Sequence, residues 1–170
     1  MRILGGKYKG INIDTSKNIS YRPTQTRIRK SIFDILNPFT YTNVLDLYSG
    51  SGILGFESAS RGAKSITFVE IDRKAISLIG KNKNKFSNNI FKIVRQSSTV
   101  FLNKIDKNYD LIFADPPYDN MDYYALVNVC VEKLAKNGKL ILEMRKNNFS
   151  LEGAIVKQYG DTKVILYTKK

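Results

Sequence analysis

The sequence predicts an α/β fold: a doubly wound, mostly parallel seven-stranded sheet with an antiparallel edge hairpin, preceded by a small N-terminal β-hairpin and a helix. Three observations predict it. Continuous apolar runs of strand length alternate with helix-length segments, the pattern of a parallel sheet covered on both faces. A glycine-rich turn links the first such strand to the helix after it. The last two strands, "GAIVKQYG" and "TKVILYT", have no helix between them and so read as a hairpin on the sheet edge.

Taken in order, "RILGG" and "GINID" flank the turn-prone "KYKG", which makes residues 1–14 a hairpin. In "TQTRIRKSIFDIL" the spacing puts Ile28, Ile32, Ile35 and Leu36 on one helical face, with Arg27, Arg29 and Lys30 elsewhere. The core then runs "NVLDLY", "ILGFESASRG", "SITFVEI", "DRKAISLIGKNKNKF", "IFKIV", "STVFLNKI", "YDLIFAD", "YYALVNVCVEKLAKNG" and "KLILEM" before the closing hairpin. Residues 1–40 are expected to form an N-terminal extension and 41–170 the core of one structural domain, since 170 residues suit a single core.

Composition narrows the chemistry. A single cysteine and no histidine exclude a disulfide framework, a thiolate cluster and any histidine base, so no metal is expected. No apolar run approaches the ~20 residues of a membrane span and "MRILGGKYKG" lacks a signal-peptide core, which points to the cytoplasm. The net charge of +13 favours a polyanionic partner, nucleic acid first. Residues 73–105 hold eight Lys or Arg and no acid, which reads as a solvated basic face. Arg22, Arg27, Arg29 and Lys30 are better placed for phosphate contacts, Cys130 reads as core, and a monomer is expected.

The strand "NVLDLY" runs into "SGSGILG", a G-x-G-x-x-G at Gly50, Gly52 and Gly55. Glu70 stands twenty residues after Gly50, at the end of the second strand, where a carboxylate can accept from both ribose hydroxyls. Asp46 decides which adenosine cofactor fits. An aspartate beside the loop repels a pyrophosphate but attracts the ammonium and sulfonium of S-adenosylmethionine. Asp46 can alternatively cap the loop amides.

A second site lies in "FADPPYDN". Asp115 ends the fourth strand, so Asp46, Glu70 and Asp115 should converge on one crevice at the carboxyl ends of the strands. Pro116 and Pro117 fix the loop and leave carbonyls free to accept. Such acceptors suit an exocyclic amine, a poor nucleophile that must be aimed rather than deprotonated. Tyr118 offers a face on which an extruded base can stack.

With these residues in view, the chain resembles the class I Rossmann-type methyltransferases, and more narrowly the bacterial 16S rRNA guanine-N2 methyltransferases. "MRILGGKYKG", "RPTQTRIRKSIFDIL", "VLDLYSGSGILGFESASRGA" with "FVEID", "DLIFADPPY" and "YGDTKVILY" carry the resemblance. It implies a Rossmann-like fold and S-adenosylmethionine held by Asp46, Ser49, Gly50, Ser51, Gly52, Glu70, Ile71, Ser97 and Asp115. It further implies that Asp115, Pro116, Pro117 and Tyr118 receive the guanine amine. The hairpin, Arg22, Pro23, Thr24 and Arg27 would then lie near 16S rRNA, in a small ribosomal subunit or assembly intermediate. Ser97 stands where the family usually carries an acid that bonds the adenine amine, which implies weaker adenine binding. Three other readings compete: N6-adenine methylation of DNA or RNA, glutamine methylation of a protein, and a non-catalytic RNA-binding assembly factor. For protein glutamine, an Asn would be expected in place of Asp115.

Overall fold

The computed structural model describes residues 1–15, 25–117 and 121–170. Arg22, Pro23, Thr24 and Tyr118 lie outside the described residues. Five helices and seven strands follow in the order α1 (Thr26–Ile35), β1 (Asn43–Leu47), α2 (Ile53–Ser60), β2 (Ser65–Glu70), α3 (Arg73–Asn82), β3 (Ile90–Arg95), α4 (Ser98–Lys104), β4 (Tyr109–Ala114), α5 (Tyr123–Glu132), β5 (Leu134–Arg145), β6 (Ile155–Tyr159) and β7 (Thr162–Thr168) among the described residues.

The strands form one sheet in the order β3-β2-β1-β4-β5-β7-β6. β1 to β5 pair in parallel, and β7 runs antiparallel to both β5 and β6. The chain winds outward from β1 through β2 to β3, then returns to lay β4 on the other side of β1. That reversal opens a crevice above the carboxyl ends of β1 and β4, where doubly wound sheets bind ligands.

Apolar side chains of alternate parity along the strands feed two cores. Val44, Ile66, Phe68, Phe113 and Ile141 pack with α1, α2 and the N-terminal residues on one face. Leu45, Val69, Ile112, Leu142 and Ile165 pack with α4 and α5 on the other. Burial on both faces explains the near-continuous apolar strands.

The N-terminal residues form a looser hairpin than the sequence suggests, with one bridge, Arg2 to Asn12, in place of two full strands. Its stability comes from docking. Glu57 on α2 is fully buried and accepts from the amides of Leu4 (2.8 Å) and Gly5 (2.9 Å), while Arg61 pairs with it at 3.0 Å. Arg29 lies 4.0 Å from the same carboxylate and donates to the Arg2 carbonyl at 2.7 Å. Arg29 is therefore interior, contrary to its sequence reading as a surface cation for phosphate. A buried acid draws it inward, although burial still lowers its pKa. Arg27 and Lys30 are exposed as expected, Lys30 pairing with Asp34 at 2.7 Å.

α5 also departs from expectation. The sequence reads as helix through "KLAKNG", yet the helix stops at Glu132 and β5 begins at Leu134. Asn137 takes a left-handed φ of 62°, which a continuing helix forbids, and the β4–β5 register shifts between Tyr109 and Leu111 to absorb the turn.

Candidate active site

β1 ends at Leu47, level with Val69 of β2 and Ala114 of β4. Ala114 in turn is level with Leu142 of β5. One residue further up, Glu70, Asp115 and Glu143 therefore form a row along the top of the sheet, with Asp46 one residue below its β1 end. The register thus puts the three acids singled out from sequence at the same end of the sheet.

The glycine loop rises from β1. Gly50 and Gly52 have φ of 52° and 74°, a region that side chains rarely enter. A Cβ on Gly55 would lie 2.3 Å from Cε1 of Phe68, so only glycine lets α2 settle on β2. Tyr48 also takes a left-handed φ, 56°, without being glycine. Such a residue costs ~1–3 kcal/mol and is kept where surrounding structure imposes it. Sequence gives no sign of it.

Ser49 ties the loop down. Its amide donates to the Val69 carbonyl at 3.1 Å, and its hydroxyl accepts from the Val69 amide at 3.0 Å. Asp46 sits beneath the loop and is only 2% exposed, with Oδ2 accepting from the Gly55 amide at 2.9 Å. Burial pushes its carboxyl up to about 8, the Gly55 hydrogen bond opposes this, and the charge of Glu70 adds to the rise. The amide it accepts from lies in the first turn of α2, just past the loop. Ser51 is buried as well.

Glu70 is more open. One oxygen accepts from the Gly50 amide at 2.8 Å and the other from the amides of Ile71 (2.7 Å) and Asp72 (2.9 Å). Four hydrogen-bond directions exist on a carboxylate, so acceptor capacity remains. Ile71 beside it is 64% exposed, an apolar surface at the crevice mouth. Ser97 lies nearby, because the Gln96 amide donates to the Glu70 carbonyl at 3.0 Å, and it leads into α4.

Asp115 is half-buried, Pro116 buried and Pro117 exposed. Glu143, buried in the same row, was not singled out from the sequence. The acid closing the apolar run "LILEM" was the available signal. Tyr8 is a basic-turn aromatic in sequence, but its ring packs edge-on against Phe86 at 4.8 Å and its hydroxyl bonds Ser87. It fastens the hairpin. The hairpin also meets Ser60, through the Lys7 amide, at the end of α2 remote from Gly52. Those two residues are about 12 Å apart along the helix axis, so the hairpin tip flanks the crevice at a distance.

A seven-stranded sheet in this order, with a glycine loop at the reversal, is the Rossmann-like methyltransferase fold, and fold and site place the protein in that class. The family model described as "Conserved hypothetical protein 95" matches residues 1–168, and the chain belongs to this family. Among its relatives, "Ribosomal RNA small subunit methyltransferase D" of Buchnera aphidicola subsp. Baizongia pistaciae is 35% identical over 150 residues, 87% of this chain and 72% of that protein. "Putative rRNA methyltransferase YlbH" of Bacillus subtilis is 32% identical over 183 residues, covering all of both chains. The solved "Putative methyltransferase yhhF" from Escherichia coli superposes with a TM-score of 0.87 at 26% identity, covering 100% of this chain and 98% of that one. A putative methyltransferase complexed with SAH shares the fold at a TM-score of 0.66 and 16% identity, over 82% of this chain and 49% of its own.

Proposed function

We propose that the protein transfers a methyl group from S-adenosylmethionine to the exocyclic N2 amine of a guanine in 16S rRNA, acting as a monomer on a small ribosomal subunit or assembly intermediate. One observation carries the reading. The register sets Asp115-Pro116-Pro117 one step above Ala114, which is level with Leu47, so the loop adjoins the glycine turn that follows β1. The Buchnera relative named above as a small-subunit rRNA methyltransferase, and the Bacillus one named as a putative rRNA methyltransferase, support the substrate class.

The residues suit this cofactor. The loop 48–55 holds no Lys or Arg to balance a pyrophosphate, whereas the Glu70 carboxylate lies against its Gly50 amide. Gly50 and Gly52 permit close backbone approach, Glu70 has capacity for ribose hydroxyls, and Ile71 offers apolar surface. When bound, S-adenosylmethionine supplies an electrophilic methyl on a sulfonium sulfur. Asp115 and the Pro116 carbonyl accept the two amine hydrogens, which localises the nitrogen lone pair and aims it. Tyr118 supplies a face for the extruded base. Methylation leaves the nitrogen acidic, so its extra proton departs to Asp115 or water and no strong base is required.

The test is incubation with isotopically labelled S-adenosylmethionine and unmodified small subunits, naked rRNA or DNA, followed by nucleoside mass spectrometry. Label in N2-methylguanosine from subunits supports the reading. Label in N6-methyladenosine, or none at all, refutes it. Asp115→Ala should abolish transfer while leaving cofactor affinity within a few-fold, and unchanged turnover would remove the assigned role.

A further inference from the structure

Directly after the Asp-Pro-Pro loop, Met121, Asp122, Tyr123 and Tyr124 line an open groove of about 340 Å³ with Asn148 and Phe149. Three of its rings are set together: Tyr124 meets Phe149 edge-on at 4.7 Å, and Tyr123 meets Phe149 at 5.7 Å. Tyr124 nevertheless stays 62% exposed, among the largest apolar exposures of the described residues. The wall behind it is fixed. Lys163, itself buried, donates to the carbonyls of Asn147 and Phe149, and the Phe149 amide donates to Asn147 Oδ1 at 2.9 Å. Asp122 caps α5 by accepting from the Ala125 amide at 3.0 Å.

Charge selects the occupant. Among the described residues, the only charged side chain lining the groove is the Asp122 carboxylate, which repels a phosphate but accepts from N–H groups. Two exposed cations, Arg145 and Lys146, immediately precede the Asn147–Phe149 wall. An aromatic shelf with a neutral-to-acidic floor and a basic approach matches an unpaired nucleotide, base inward and phosphate outward. We propose that this groove is a stacking subsite for an unpaired nucleobase flanking the methylated nucleotide, with Tyr124 as its platform. The inference rests on the proposed RNA activity and adds a second point of substrate contact beside the reacting amine.

The probe is a single-stranded oligoribonucleotide carrying 2-aminopurine next to a guanine, titrated into the full chain. Binding should quench the 2-aminopurine in the wild type and in Tyr124→Phe. Tyr124→Ala should abolish the quenching and weaken affinity roughly 5- to 150-fold, the range of one base–aromatic stack. Unchanged quenching and affinity in Tyr124→Ala overturns the subsite, as does a wild type that neither binds nor quenches the probe. Methylation lost only on assembled subunits, with quenching intact, assigns the groove to a ribosomal protein and equally overturns it. Product analysis of the wild type is read separately: absence of methylguanosine defeats the functional reading while the quenching result still stands for or against the stack.

Discussion

Replacing Glu57 with alanine removes one carboxylate from under four donors. Arg29, 1% exposed, would keep a buried guanidinium with no counter-charge, and Arg61 would lose its 3.0 Å partner. Breaking a buried pair from one side costs ~3–5 kcal/mol, because the remaining charge stays desolvated. The amides of Leu4 and Gly5 would also lose their acceptor, at ~1–3 kcal/mol each if they stayed buried. The hairpin can avoid that second cost by peeling into water, so the net loss should sit near ~3–5 kcal/mol, a large share of the ~5–15 kcal/mol that holds a domain together. For a chain of this size the loss corresponds to a fall of roughly 6–20 °C in Tm. Urea unfolding of Glu57→Ala measures it, and hydrogen exchange at Leu4 and Gly5 should rise well above the global unfolding rate. A loss below ~1 kcal/mol with both amides still protected would refute the claim that Glu57 is the hairpin's anchor.

Two further outcomes follow from the crevice. The Asp46 carboxyl titrates at about 8 when folded and 3.8 when unfolded, so the folded state holds the extra proton between those values and stability falls as pH rises from ~4 to 8. The slope from this one group approaches ~1.4 kcal/mol per pH unit, and Asp46→Asn should flatten it; parallel stability curves for the two proteins between pH 5 and 8.5 would sink the assignment. Glu70→Ala should weaken S-adenosylmethionine binding by ~1.5–3 kcal/mol in calorimetry, the worth of hydrogen bonds to a charged acceptor, and an unaltered affinity would exclude that carboxylate from the cofactor site.

Strand positions were legible because burial on both faces leaves little room for polar residues, and the glycine turn because Gly52 and Gly55 satisfy steric demands no other residue meets. Asp46, Glu70 and Asp115 could be assigned to the carboxyl ends of neighbouring strands from topology alone. Features fixed by distant partners were not legible. Arg29 reads as a surface cation until Glu57, on another element, is known to be buried against it. Tyr48 reads as the last residue of a strand, yet the loop forces it left-handed. The early end of α5 depends on how Asn137 and Gly138 meet the chain terminus, where the Asn137 amide donates to the Lys169 carbonyl at 3.0 Å. Asp46 illustrates a finer limit: residue type and spacing brought it to the loop, but only geometry shows it under the loop with its charge suppressed.

The dependence of the hairpin on Glu57 bears on how the chain is made. Leu4 and Gly5 are synthesised before their acceptor, which is encoded 53 and 52 positions later and is placed only once α2 lies on β2. Synthesis at ~5–20 residues per second leaves this basic segment undocked for several seconds. The hairpin residues thus acquire their native surroundings only after a later segment has folded, and their docking reports that the helix following the glycine loop is already in place.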